Sequence, residues 1–143
     1  MKRDLDAVFT ATPMYATLGI TLQDWGPGWA QLDLSPTAAM LNLAGSVHGG
    51  AIFTLADAAF EIACNSYGRV AVALETTCHY HRPAVTGTLL TGDAWEISRG
   101  NRTASYRLQV CNSDHEVVAS YLALAYRTSR WHVDAARLPD GWG

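Results

Sequence analysis

The amino-acid sequence predicts an α+β fold: one antiparallel sheet with its helices on one face. Two observations predict it. The stretch SVHGGAIFTLADAAFEIACNS (residues 46–66) reads as a helix that is apolar nearly all the way round. After it come RVAVALETTCHYHRP, TLLTGDAWEIS, RTASYRLQVCNS and EVVASYLALAYRTS, each rich in β-branched and aromatic residues and bounded by turn residues. Consecutive strands joined by tight turns pair antiparallel, and the helix before them then has a sheet to pack on.

The remaining elements follow in chain order. RDLDAVFTATPMYATLG reads as one or two short helical turns broken by Pro13. ITLQDWGPGWAQLDLSP alternates on both sides of Gly26-Pro27-Gly28, a β-hairpin signature in which Trp29, Gln31 and Asp33 face away from Ala30, Leu32 and Leu34. TAAMLNLAGSV is a loop. The long helix is expected from Gly49 to Tyr67, stopping at Gly68; at 1.5 Å per residue it spans roughly 28 Å. Its polar residues, Thr54, Asp57, Glu61 and Asn65, fall on one narrow stripe. Such a helix is buried against the sheet, and the stripe faces solvent, a crevice or a partner. A carboxylate in mid-helix therefore asks for a function.

At 143 residues the chain is expected to form a single domain, 1–143. Charged residues make up 16%, against about 25% in ordinary domains, which suggests a covered surface and a homo-oligomer. The net charge is −3 with no basic run, so nothing recommends nucleic acid. In MKRDLDAVFTATPMY, Asp4 and Asp6 interrupt any apolar run, unlike a secretory signal, and no membrane-length apolar segment follows elsewhere. Cys64, Cys78 and Cys111 are odd in number and lie among apolar neighbours, as reduced thiols of a cytoplasmic protein do.

His48-Gly49-Gly50 sits immediately before the helix. Glycines there admit a ligand to the backbone, and the first N–H groups of a helix lack internal partners, which makes a site for an oxyanion or a phosphate. From this point MLNLAGSVHGGAIFTLADAAFEIACNSYG resembles the helix region of the hotdog-fold acyl-CoA thioesterases, and within them the phenylacetic-acid-degradation branch. Asn42, His48-Gly49-Gly50, Leu55-Ala56-Asp57 and Ala63 to Ser66 carry the match, which continues through HRPAVTG, SRGNRTASY and AYR. It covers about residues 13–128 and leaves 129–143 as a C-terminal tail. The resemblance implies a curved antiparallel sheet wrapped around a long central helix, in subunits that join as homodimers and often as homotetramers. It implies hydrolysis of an aryl- or arylacetyl-CoA, or a medium-chain acyl-CoA, to free acid and CoA. No metal or redox cofactor is implied; coenzyme A enters as part of the substrate. The backbone N–H of Gly49 or Gly50 would polarise the carbonyl, and Asn42 would hold the thioester or the water. Asp57 from the other subunit would be general base or nucleophile.

Other residues admit two readings each. His48 is either a second acid–base group or a structural ring beside the working backbone. Glu61 either touches the acyl group or is a solvated or dimer-facing carboxylate. Arg99 and Arg102 at a hairpin tip, and Arg82 before Pro83, suit CoA phosphates or plain solvation. His79 and His81 share a strand face, but Cys78 points away and no third ligand is evident, so no metal is expected. Trp131 and Trp142 of the tail either pack on the fold or a neighbour, or hang loose. Two rival functions remain: a non-catalytic acyl-CoA-binding module, and a hydratase or dehydratase on the same fold.

Overall fold

The structure, a computed structural model, describes residues 1–142. The N-terminal segment forms two helices, α1 (Lys2–Thr10) and α2 (Pro13–Leu18), with Pro13 starting the second, where its missing N–H costs nothing. The hairpin is β1 (Ile20–Gly26) and β2 (Trp29–Leu34). The long helix α3 (Gly49–Asn65) precedes β3 (Arg69–Tyr80), β4 (Leu90–Arg99), β5 (Thr103–Cys111) and β6 (Val117–Trp131). Single 3-10 turns lie at Ala38–Met40 and Ala135–Arg137.

All six strands join one sheet in the order β1-β2-β4-β5-β6-β3, antiparallel throughout. The sheet curves around α3: the hotdog arrangement. Alternate residues point inward, among them Ala30, Leu32 and Leu34 of β2 and Tyr106, Leu108 and Val110 of β5, all at most 1% exposed. They meet Leu55, Ala56, Ala59, Phe60, Ile62 and Ala63 of α3, which are equally closed off. Helix and sheet approach closely at Gly92, where a Cβ would lie 2.8 Å from Leu55 Cγ and 3.0 Å from the Leu55 carbonyl oxygen.

The helix ends at Asn65, two residues short of the expected Tyr67. Side chains end it. The Ser66 hydroxyl donates back to the Ala63 carbonyl (2.7 Å) and accepts from the Gly28 N–H (2.8 Å), tying the helix end to the hairpin. Gly68 then turns the chain with φ +81°. Asn65, expected on the polar stripe, is instead 5% exposed. Its amide accepts from the Ala71 N–H (2.9 Å) and donates to the Ala71 carbonyl (3.1 Å).

β3 is a sheet edge, paired with β6 on one side only. Of the tail, Trp131 completes β6 and Trp142 packs edge-on against Tyr67 with ring centroids 5.9 Å apart, while Gly143 lies outside the described residues. Among the described residues no helix is long and apolar enough to cross a membrane.

Candidate active site

Two of the clefts along α3 hold the candidate residues. The first holds the middle of the polar stripe: Thr54, Asp57 and Glu61 border it, facing Met14 and Tyr15 from α2 and Ala71–Ala73 from β3. Phe53 and Phe60 add aromatic walls, and the volume is about 410 Å³. The second lies at the helix N-terminus, about 430 Å³, bordered by Asn42, Ser46, Gly49, Tyr80, His81 and Arg82.

Asp57 is half-buried. Its carboxyl is held above the ordinary range, first because burial disfavours the charged form and second because Glu61 is negative nearby. Glu61 follows one turn later and accepts a 2.5 Å hydrogen bond from the Tyr15 phenol.

At the helix N-terminus the two candidate donors differ. The Gly50 N–H donates to His48 Nδ1 (2.8 Å), so the imidazole caps the helix through an unprotonated nitrogen. The Gly49 N–H has no acceptor among the described residues and borders the second cleft. Tyr80 packs on this spot: its hydroxyl donates to the Gly49 carbonyl (2.9 Å), and a Cβ on Gly49 would stand 3.1 Å from its ring. Asn42 organises the preceding loop. Its Oδ1 accepts from the N–H groups of Ala44 (2.9 Å) and Ser46 (3.1 Å), while Nδ2 donates to Ser46 Oγ (3.0 Å). One Nδ2 proton is left over for a ligand.

The structure thus brings Asn42, His48, Gly49 and Gly50 together and leaves Asp57 apart. Asp57 lies eight positions after Gly49 on the helix, about 12 Å of rise. Arg82 borders the Gly49 cleft, ion-paired with Glu116 at 2.5 Å. Arg99 and Arg102 border neither cleft. Arg99 stacks 3.9 Å above the Tyr67 ring and donates to the Gly141 carbonyl (3.1 Å), which fixes the tail; Arg102 is exposed in the β4–β5 turn. His79 and His81 stack with ring centroids 6.5 Å apart, and His81 Nε2 lies 2.6 Å from Ser120 Oγ. Among the described residues no three metal-ligating side chains converge.

Sequence reasoning passed over Tyr15 and Tyr80. Tyr15 lies 46 residues before Glu61 in a segment without periodicity, so nothing local marks the pair. Tyr80 alternates with His79 and His81, but its reach to Gly49 depends on how β3 crosses the helix start.

The chain thus combines a hotdog fold with a free N–H at the helix N-terminus and a recessed carboxylate on the same helix. Residues 44–119 match the profile of the thioesterase superfamily. The acyl-coenzyme A thioesterase PaaI of Escherichia coli is 38% identical over 110 residues, 77% of this chain and 79% of that protein. The solved structure of the E. coli PaaI protein from the phenylacetic acid degradation operon superposes with a TM-score of 0.87 at 33% identity, covering 90% of this chain and 94% of that one. A Streptococcus mutans UA159 protein bound to acetyl CoA superposes with a TM-score of 0.75 at 25% identity, over 78% and 90% of the two chains. The chain belongs to the thioesterase superfamily.

Proposed function

We propose that this enzyme hydrolyses an acyl-CoA whose acyl group is aryl or arylacetyl, and that its working unit is a dimer with composite sites. The observation that carries the reading is the division of the site between two clefts at opposite ends of one edge strand. Ala71–Ala73, near the start of β3, border the Asp57 cleft; Tyr80, its last residue, borders the Gly49 cleft. If two copies join their β3 edges antiparallel about a twofold axis, the start of one strand meets the end of the other. Asp57 of one copy then faces Gly49 and Asn42 of its partner. The edge suits such pairing: its outer side is open, and Val72 and Leu74 are 47% and 56% exposed.

In the composite site the thioester oxygen takes the Gly49 N–H and is steadied by the positive end of α3, while the spare Asn42 N–H holds the thioester or the water. Asp57, from the partner, takes a proton from the water as it attacks the carbonyl carbon. The C–S bond breaks, the sulfur leaves as thiolate and is protonated, and free acid remains. A carboxylate whose affinity for protons is raised by an apolar cleft suits this base role; attack by Asp57 itself, through an anhydride opened by water, is the variant route. The acyl group lies among Met14, Phe53 and Phe60, a lining that suits a ring and also admits a medium-length alkyl chain. Relatives support the CoA ester: the E. coli protein is named an acyl-CoA thioesterase, and the S. mutans structure holds acetyl CoA. Arg82 is the cation positioned to meet its phosphates.

The test is release of CoA thiol from phenylacetyl-, benzoyl- and a medium-chain acyl-CoA. Asp57→Asn should lower kcat by about 100- to 10,000-fold in a folded protein. A variant as fast as wild type would remove Asp57 from the chemistry. Long-lived intact acyl-CoA on the wild-type protein would make the chain a binding module, and enoyl or hydroxyacyl products would make it a hydratase.

A further inference from the structure

Tyr15 carries a role that the reaction scheme does not yet assign. The residue is 5% exposed, yet its phenol points into the Asp57 cleft and donates to Glu61 Oε2 at 2.5 Å; the Ala58 carbonyl is a distant second acceptor at 3.4 Å. Glu61 has no cationic partner among the described residues, and the phenol is its one side-chain hydrogen bond to the carboxylate. Asp57 and Glu61 are four residues apart on α3 and therefore side by side on one face. An otherwise exposed carboxylate is thus pinned next to the group read above as the base.

We propose that Tyr15 is a positioning residue: its phenol holds the Glu61 carboxylate in the acyl cleft beside Asp57, where the negative charge strengthens Asp57 as a proton acceptor. The proposal rests on the reading of Asp57 as base. The other ionisable groups that face the pair are Tyr15 on α2, Cys64 on α3 and His132 just after β6. Burial pushes the Tyr15 phenol and the Cys64 thiol up, so both stay neutral. Burial pushes the His132 imidazole down, against the pull of Glu61 and with Arg130 adding to the fall, and its Nε2 lies 2.7 Å from Asn65 Oδ1 rather than on a carboxylate. Glu61 is therefore the charged neighbour of Asp57 among the described residues. Freed from the phenol, its flexible stem can carry the charge into water, where it is screened.

The experiment is kcat/KM against pH for wild type, Tyr15→Phe, Glu61→Gln and the double variant, with phenylacetyl-CoA. Phe keeps the buried ring, and Gln keeps an acceptor for the phenol. The acid limb should move to lower pH in each single variant, and the double variant should move no further than Glu61→Gln. On the falling limb this raises the retained fraction of plateau activity by roughly threefold. An unmoved limb in either single variant, or a double shift equal to the sum of the two, overturns the proposal and leaves the phenol as a packing group that satisfies itself on Glu61. An Asp57→Asn protein that keeps wild-type turnover instead overturns the base assignment beneath it, whatever Tyr15→Phe does.

Discussion

Asn65→Ala should destabilise the protein more than any exposed asparagine could. The side chain is 5% exposed and makes three hydrogen bonds to backbone: to the carbonyls of Glu61 (2.8 Å) and Ala71 (3.1 Å) and from the Ala71 N–H (2.9 Å). A fourth contact, 2.7 Å, joins it to His132. Ala71 sits on the edge strand, and both its polar groups turn to Asn65 on the side where no neighbouring strand exists. The amide stands in for the missing strand. Truncation orphans both groups at a residue that is 7% exposed, and each orphaned buried group costs about 1–3 kcal/mol. Water reaches a sheet edge more easily than a core, which favours the lower half of the summed range, about 2–4 kcal/mol. For a chain of this size that lowers the thermal midpoint by roughly 6–14 °C. The assay is urea and thermal unfolding at one fixed protein concentration, because the proposed dimerisation would make the midpoint concentration-dependent. Asn65→Asp keeps the acceptor but turns a second, charged oxygen toward the Glu61 and Ala71 carbonyls, so it should cost at least as much as Asn65→Ala. A loss below about 1 kcal/mol for Asn65→Ala would refute the reasoning that this amide completes the edge of β3.

Three further outcomes follow from the same geometry. Gly92→Ala should cost about 1–3 kcal/mol in urea unfolding, because the new methyl meets the Leu55 side chain and backbone and α3 must lift from the sheet; an unchanged midpoint would mean that helix and sheet have slack. Asp57→Asn should stabilise the protein near neutrality while lowering turnover. The folded carboxyl is held above its ordinary value, so the folded state binds the proton more tightly than the unfolded chain. Its contribution therefore falls as pH rises through the ordinary and then the raised value, and the gain in Asp57→Asn should vanish below the ordinary aspartate range, about pH 3.9. Equal melting curves of wild type and variant at neutral pH would contradict this. Leu74→Glu places like charges across the β3–β3 seam of the proposed dimer; light scattering should show monomers and CoA release should be lost with the dimer, whereas an active monomer would end the composite-site reading.

The sequence made the fold legible because its signals were local. Apolar residues around α3, alternation in Trp29 to Leu34 and glycine at Gly68 each follow from a few neighbours, and the structure has them as helix, strand and turn. The end of α3 was misplaced because side chains from elsewhere decide it: Asn65 leaves the stripe for Ala71, and Ser66 bonds back to Ala63 while taking the Gly28 N–H. No window around residue 65 contains Gly28. The candidate site divides the same way. His48-Gly49-Gly50 and Asp57 stand out within one segment, but choosing Gly49 over Gly50 as the free donor needs the imidazole at 2.8 Å, and finding Tyr15 needs the packing of α2 on α3.

That division has a consequence for how such a site is held together. A helix can present a donor at its N-terminus and a carboxylate two turns later, but its rigidity keeps the two about 12 Å apart. A single thioester carbonyl is far smaller than that gap. Straightness, which makes α3 a good core element, thus prevents it from closing a site on itself, and in the proposed dimer a second copy would supply the remedy. Each helix would lend its N-terminus to one reaction and its carboxylate to another. The strand that would join the copies is the one Asn65 supports at Ala71, beside the Asp57 cleft. In the proposed dimer the seam, the helix end and the Asp57 carboxylate would be mechanically linked, so a substitution at Asn65 should lower activity through the register of β3 as well as stability.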